Sequence, residues 1–419
     1  MSVGFALLAA SLGACTAVAP QQPDILLVLV PGVRGQLPGE TVSAESALVS
    51  VLGTPRVRYS NAITPAPAPY AAFASLLTGM YPSAIPICNE LPRVEEQPWC
   101  TKMPEQRYTL PSILGMYGYE VGLVHGKMEG AELFTGSRTA VPPDDWAADW
   151  PAVADAAGAW WQAAKSPKML VVVGNDLRAK QIAHRVGGHT MRERYLSMAR
   201  DVANGVARVV AKVDAEYVFV TSLHGMSLRE KTGLREDHDK FLDQPYSATV
   251  LERTIHVPLL VYGPEGPPEI IPEVVELVDL LPTFCGLAGA TPPANTPGMD
   301  LFAVGTDNLA YSEFGDWLAI RQGKWLLTFR GYLHNGSSLD PQMTTFLTEK
   351  PFVEEYWSLH DVGADPQQTT NRLSSDRPVA LELRPRLVEM RTTVGTAPPD
   401  MMPDEKVQLL RLSPAQGYW

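Results

Sequence analysis

The chain has few cysteines, few charged residues and an excess of acid over base. Its 419 residues include 4 cysteines, and 34 Lys and Arg face 46 Asp and Glu, which gives a net charge of −12. The cysteines are too widely spaced for a zinc cluster. The acidic balance argues against sequence-independent nucleic-acid binding, because that needs a basic surface that displaces counterions from phosphates.

Long apolar runs are also missing, except at the N-terminus. No other stretch approaches the roughly 20 apolar residues of a transmembrane helix. Val3 to Ala14 is apolar or small apart from one serine, which suits the h-region of a secretory signal, although no Lys or Arg precedes Arg34. Leu12 to Cys15 (LGAC) resembles the bacterial lipobox, so we expect cleavage before Cys15 and lipidation of its sulfur. A hydrophobic leader with an incidental cysteine is the alternative.

Export changes what the other cysteines imply. The chain would lie in the periplasm or cell envelope, anchored to a bacterial membrane by its lipid. There an oxidising environment would permit a disulfide between Cys88 and Cys100, worth about 3 kcal/mol for so short a loop. Cys285 lies in an apolar segment and is expected to be a buried free thiol.

The apolar residues, 45% of the chain, fall into short runs that alternate with helical patterns. Asp24 to Val30 (DILLVLV) is typical of a strand covered on both faces, and Lys168 to Val173 and Tyr217 to Thr221 are similar. Met191 to Val213 has apolar residues at helical spacing. This alternation predicts an α/β fold with a mainly parallel central sheet flanked by helices. Ligands of such sheets bind beyond the carboxyl ends of the strands.

The C-terminal part shows a different pattern. Ala319 to Arg330 predicts a hairpin, and Pro378 to Met390 predicts a helix. We therefore expect a small antiparallel C-terminal subdomain. The predicted boundaries are a signal peptide over 1–14, a linker over 15–23, the α/β domain over 24–305, the subdomain over 306–392 and a tail over 393–419.

Several segments, in order, resemble the sulfatase branch of the alkaline-phosphatase superfamily between Asp24 and Leu373. The segments are Asp24 to Gly39, Ala74 to Pro82 (ASLLTGMYP), Thr109 to Lys127, Tyr217 to Gly225, His256 to Pro264, Leu277 to Ala290 and the C-terminal Glu355 to Leu359 with Asp365, Pro366 and Asn371. The resemblance implies a sulfatase-like sandwich completed by the antiparallel subdomain.

The resemblance also implies a particular chemistry. The family holds a divalent metal, usually calcium, with paired carboxylates after the first strand and an Asp-Asn or Asp-His pair after a later one, because hard cations prefer anionic oxygens. A formylglycine derived from cysteine, or a serine or threonine, attacks the ester, while lysines and histidines neutralise charge.

The chain departs from the family at those positions. Pro31 and Gly32 stand where the family has paired aspartates, and Leu223 replaces the later aspartate. The nucleophile position falls on Pro69. No Cys, Ser or Thr lies between Thr64 and Ser75, so no shift of a residue or two restores a nucleophile.

Some family positions are retained. Lys127, His238 and Lys240 match residues near the ester group, His224 is what remains of the Asp-His pair before a glycine, and Arg34 is retained in the first loop. Asp176, after a strand, is the best candidate for a substitute metal ligand. Each also has an ordinary structural explanation, because a lysine that ends a strand and a lone His-Gly pair are common features.

Three functional hypotheses follow. The leading one is an exported pseudoenzyme that binds an anionic glycan, another anionic envelope component or a partner protein without hydrolysing it. The second is a divergent hydrolase or transferase of sulfate or phosphate esters, rebuilt around Lys127, Asp176, His224 and His238. The third is a structural partner of an active homologue. No cofactor is predicted, and calcium or another divalent metal is expected only if the site has been rebuilt.

Overall fold

The structure is a computed structural model of the chain. It describes residues 22–85, 107–126, 128, 130–141, 150–174, 177, 190–228, 249–264, 266–303, 308–315, 317–331, 345 and 347–394. Of the residues singled out above, Cys15, Cys88, Cys100, Lys127, Asp176, His238 and Lys240 lie outside these ranges.

Within the described ranges, an eight-stranded sheet forms the centre of the fold, in the order β4-β3-β5-β1-β6-β7-β2-β8. The strands are β1 Ile25–Leu29, β2 Val57–Ile63, β3 Glu120–His125, β4 Ser137–Ala140, β5 Lys168–Val173, β6 Tyr217–Thr221, β7 His256–Tyr262 and β8 Glu269–Glu276. The five strands from β4 to β6 run parallel, β7 is antiparallel to both its neighbours, and β2 is parallel to β8. The predicted mainly parallel sheet is confirmed.

Strand β1 lies between two apolar layers. Ile25, Leu27 and Leu29 pack on one side of the sheet, and Leu26 and Val28 pack on the other. Side chains alternate between the faces of a strand, so a continuous apolar run is what two buried faces require.

Helices cover both faces of the sheet. They are α1 Ala44–Leu52, α2 Pro69–Thr78, α3 Leu110–Met116, α4 Trp150–Ala163, α5 Met191–Lys212, α6 Leu280–Ala288 and α7 Arg377–Glu389. Helices α1, α4 and α5 contribute to one apolar layer, and α2, α3 and α6 contribute to the other. Helix α5 begins with a capping box in which the Thr190 hydroxyl accepts from the Glu193 N–H and the Glu193 carboxylate accepts from the Thr190 N–H. No helix among the described residues is both long and apolar enough to span a bilayer.

A second, four-stranded antiparallel sheet follows along the chain. Its strands are β9 Leu309–Phe314, β10 Trp317–Gln322, β11 Trp325–Arg330 and β12 Trp357–Asp361, in the order β12-β11-β10-β9. The predicted hairpin is β10 and β11, with Gly323 in a left-handed turn (φ +52°). Helix α7 packs against this sheet through Leu383 and Leu387. The antiparallel C-terminal sheet is therefore confirmed.

Cys285 is a buried free cysteine, as the sequence predicted. Its side chain is part of the apolar layer that includes α2 and α3. Burial, with a smaller contribution from Asp300, raises the pKa of this thiol to about 12. The thiol therefore stays protonated near neutral pH and is a poor nucleophile.

Two helical glycines give a matched test of the packing between α4 and α5. A Cβ on Gly205 would overlap the Trp150 ring, whereas a Cβ on Gly158 would lie 3.2 Å from its nearest neighbour, the Lys212 Cβ. We expect Gly205→Ala to lower the free energy of unfolding by about 2 kcal/mol, because overpacking outweighs the gain in helix propensity. Gly158→Ala should change it by less than about 1 kcal/mol. Urea denaturation of both variants measures this, and equal stability would contradict the packing.

His360, on β12, is fully buried, and burial lowers its pKa to about 4. Below its ordinary pKa of about 6.5, the unfolded chain takes up a proton that the folded chain refuses, so stability falls as pH falls from about 6.5 towards 4. From pH 7 to pH 5 this residue should account for a loss of about 2 kcal/mol. Urea denaturation at both pH values should show that loss in the wild type and not in His360→Gln. Equal pH dependence in the two proteins would contradict the assignment.

Candidate functional site

The family's site would lie where β1 and β6 end, and the structure brings the loops after these strands together. The Val30 N–H donates to the Thr221 carbonyl (2.9 Å), and the Gly32 N–H donates to the His224 carbonyl (3.1 Å). The Ser222 hydroxyl oxygen lies 2.9 Å from the Val30 carbonyl and 2.7 Å from the His224 carbonyl. Positions 31, 32, 223 and 224 therefore meet at one edge of the sheet.

Gly32 has no room for a side chain. Its φ is +86°, and a Cβ there would lie 2.7 Å from the Leu177 carbonyl oxygen and 2.8 Å from the Leu177 Cβ. Leu177 is held in place because its N–H donates to the Pro31 carbonyl (3.1 Å). The loop after β1 thus contacts Leu177 through its backbone, in the space that a carboxylate at position 32 would need.

Leu223 lies in the apolar layer of the sheet, together with residues of α2. It is fully buried, and its carbonyl oxygen accepts the Thr64 hydroxyl at 2.7 Å. A leucine side chain offers no lone pair to a metal, and an aspartate in the same apolar surroundings would need a partner for its charge.

His224 is buried, with Nδ1 2.7 Å from the Gly225 carbonyl oxygen. The following segment is fixed by backbone pairing, because the Gly225 N–H donates to the Thr254 carbonyl and the Met226 N–H donates to the Arg253 carbonyl. A Cβ on Gly225 would overlap the Arg253 carbonyl oxygen. His224 thus belongs to a loop whose backbone is hydrogen-bonded to the short helix Glu252–Ile255.

The nucleophile position is apolar and rigid. Pro69 is the first residue of α2, and the preceding Ala68 makes no side-chain cap to the helix. Ala66, Ala68 and Ala71 pack together with Phe314. No Ser, Thr or Cys is present on this turn, and a proline side chain has no nucleophilic atom.

The two nearest Ser or Thr side chains, Thr64 and Ser75, do not replace the nucleophile. Besides its 2.7 Å contact with Leu223, the Thr64 Oγ1 lies 3.0 Å from the Ala66 carbonyl. Ser75 is fully buried in the middle of α2. An attacking hydroxyl needs access to substrate and a base or metal beside it, and the contacts of Thr64 are carbonyl oxygens.

Arg34 forms a buried ion pair with Glu40. Its Nη2 lies 3.1 Å from Glu40 Oε1, and Arg192 Nη1 reaches the same oxygen at 2.7 Å. The Tyr195 hydroxyl accepts the Arg34 N–H and donates to the Gly32 carbonyl. These contacts stabilise the loop after β1 and neutralise the guanidinium, which is only 3% exposed.

The described residues do not fit a calcium ion at the family's position. Pro31, Gly32 and Leu223 supply no carboxylate, and no cluster of three or more His, Cys, Asp or Glu suited to a metal occurs in the described part of the chain. Hard divalent cations need six or more oxygen ligands, several of them anionic. We therefore derive no reaction step through a metal held by these residues.

Sequence reasoning missed the hydroxyl groups that hydrogen-bond to the loops after β1 and β6. Ser222, Thr64 and Tyr195 supply the hydroxyls that bind the loop carbonyls. The first two were visible as polar residues next to apolar strands, but nothing in their spacing indicated the partners. Tyr195 belongs to a helix far along the chain, so only the fold brings it to the loop.

Comparison with known proteins finds sulfatases, both by sequence and by fold. The sulfatase family model matches residues 144–290. Mouse (Mus musculus) arylsulfatase K is 29% identical over 161 residues, which are 36% of this chain and 29% of that protein. The Xenopus laevis arylsulfatase K is 38% identical over 86 residues, 20% of this chain and 14% of that protein. The chain thus matches less than a third of the length of these relatives.

Solved structures extend the likeness to nearly the whole fold. A candidate sulfatase from Bacteroides thetaiotaomicron superposes with a TM-score of 0.67 at 17% identity, covering 92% of this chain and 96% of that one. The phosphonate monoester hydrolase of Agrobacterium radiobacter gives 0.60 at 14% identity, covering 89% and 96%. The matched segment and the fold confirm the resemblance to the sulfatase branch of the alkaline-phosphatase superfamily. In both respects the chain is sulfatase-like.

Proposed function

We propose that this protein is a non-catalytic, sulfatase-like binding protein that holds an anionic ligand without hydrolysing it. The observation that carries the proposal is the close packing of the two loops that follow β1 and β6, which leaves no carboxylate at the family's metal position. Leu177 occupies the space beside Gly32, and Leu223 packs into the apolar layer. The ligand and nucleophile positions have thus been filled by backbone and apolar groups.

The chain lacks several of the charged groups that ester hydrolysis on this fold requires. Ester hydrolysis on this fold develops negative charge that a metal and several cations must stabilise, and the metal itself needs carboxylates. Pro31, Gly32 and Leu223 remove three carboxylates, and Pro69 removes the nucleophile. One such loss can be compensated by a neighbouring group. Losing all four together leaves no described group to begin the reaction or to bind its charge.

The cellular setting is also part of the proposal. The apolar run before Cys15 supports an exported chain, lipid-anchored at a bacterial membrane and facing the periplasm or envelope. In that place the ligand would be an anionic envelope component or glycan, or a partner protein. The relatives' names, arylsulfatase and phosphonate monoester hydrolase, refer to anionic esters, which supports an anion of that class.

The decisive experiment measures metal content and turnover of the mature chain. We expect no stoichiometric metal by elemental analysis, and no hydrolysis of p-nitrophenyl sulfate or p-nitrophenyl phosphate with added Ca²⁺, Mg²⁺, Mn²⁺ or Zn²⁺. His224→Ala controls for contaminating hydrolases, because activity from a contaminant survives this substitution. Stoichiometric metal with turnover that His224→Ala abolishes would overturn the proposal in favour of a site rebuilt with His224.

A pair of glycine variants tests whether position 32, in the loop after β1, has room for a side chain. Gly32 and Gly53 have almost the same backbone angle (φ +86° and +88°), but a Cβ on Gly53 has nothing within 4 Å. Gly53→Ala should lower the unfolding free energy by about 2 kcal/mol, because its backbone (φ +88°, ψ −178°) lies in a region that is essentially restricted to glycine. Gly32→Ala should cost about 2 kcal/mol more, because its Cβ also meets Leu177. Thermal or urea denaturation measures both, and equal losses would mean that position 32 has room for a ligand side chain.

A further inference from the structure

We propose that Arg377 and Arg384, on helix α7, form a binding site for an oxoanion group of the sulfate type. The site lies in the C-terminal part of the fold, away from the loops after β1 and β6. The inference rests on the proposed function, because it names where an anionic ligand would be held.

Both guanidinium groups lie over one aromatic ring. The Cζ of Arg377 is 5.0 Å from the centroid of the Phe352 ring, and the Cζ of Arg384 is 4.9 Å from it. Arg384 is also 5.3 Å from the Trp357 ring, which packs edge to face with Phe352 at 5.1 Å. Since each Cζ is about 5 Å from the same point, the two are at most about 10 Å apart. Attraction to aromatic faces holds the cations in place without consuming their charge.

Neither guanidinium has a carboxylate partner among the residues that the structure describes. Arg377 donates from Nη1 and Nη2 to the Phe352 carbonyl oxygen (both 3.3 Å), and Arg384 makes no hydrogen bond within the described ranges. Two acids nearby along the chain have other partners. Asp376 accepts from Arg372 and Ser375, and Glu354 accepts from Ser374.

The electrostatics of this pair favour an anion. Arg377 lies in the first turn of α7, where the helix dipole disfavours a cation, and a second cation close by adds repulsion. The chain has 46 acidic residues, yet no described one neutralises the pair. A bound oxoanion would remove the repulsion between the two cations.

The geometry suits a tetrahedral oxoanion carried on a larger molecule. Arg377 is exposed and Arg384 is half-buried, so both can be reached from solvent. The planar guanidinium donates two parallel hydrogen bonds to sulfate or phosphate oxygens, which a lysine cannot do. Two such forks within about 10 Å can each donate to one of two neighbouring sulfate groups of one sugar chain.

The test uses retention of the full chain on immobilised dextran sulfate, with neutral dextran as the blank. A protein of net charge −12 is repelled by a polyanionic resin, so retention at low salt requires a local cationic site. We expect retention of the wild type on dextran sulfate alone. Arg377→Gln with Arg384→Gln should lower affinity for soluble dextran sulfate at least tenfold. Arg200→Gln with Arg208→Gln removes two exposed cations from α5 and should change affinity less than twofold.

Two controls accompany the double Gln variant. Arg377→Lys with Arg384→Lys keeps the charge and should give an intermediate affinity. The melting temperature of each variant shows whether it is folded. Release by sodium sulfate at lower ionic strength than by sodium chloride would support a site that also takes the free ion. Equal release would support a site for sulfate on a carrier. If the wild type binds and the double Gln variant binds equally well, the proposed site is wrong while anion binding stands. If the wild type is not retained at all, both proposals fail for sulfated ligands.

Discussion

Strand β1 has no face towards solvent, and this single constraint sets the position of everything at the sheet edge. Its apolar side chains alternate between two layers, and its backbone pairs in register with β5 on one side and β6 on the other. A strand buried in this way cannot slip by one residue without moving every side chain to the wrong layer. The loops after β1 and β6 are therefore brought together whatever residues they contain.

The side chains of those two loops decide whether a metal can bind where the loops contact each other. In a sulfatase-like fold with carboxylates there, charge repulsion would keep the loops open until a cation arrived. Here the Gly32 N–H donates to the His224 carbonyl, and the Thr64 and Ser222 hydroxyls bind the neighbouring carbonyls. These contacts give the buried backbone groups of the two loops their hydrogen-bond partners, so the loops need no metal to hold them together.

The sequence was informative where one physical rule dominated. The apolar run of β1 and the helical spacing of α5 predicted their elements closely, because burial on two faces and amphipathic packing leave clear periods. Strand β2 (VRYSNAI) and helix α4 were missed. The first is a short run with polar residues, and the second is rich in alanine and tryptophan with no sharp apolar stripe. Their partners are distant in the chain, so their structure follows from tertiary packing.

The sequence showed which chemical groups were missing from the site, but not what had replaced them. The prolines, glycine and leucine at positions 31, 69, 32 and 223 could be read directly, whereas the contact of Gly32 with Leu177 depends on backbone geometry. The arginines of α7 show the same limit, because their common ring, Phe352, is 25 residues before Arg377. If Arg377 and Arg384, which have no carboxylate partner among the described residues, hold the ligand, then binding takes place on α7 and not at the loops after β1 and β6. A ligand held at α7 would meet guanidinium groups, which donate hydrogen bonds to an oxoanion.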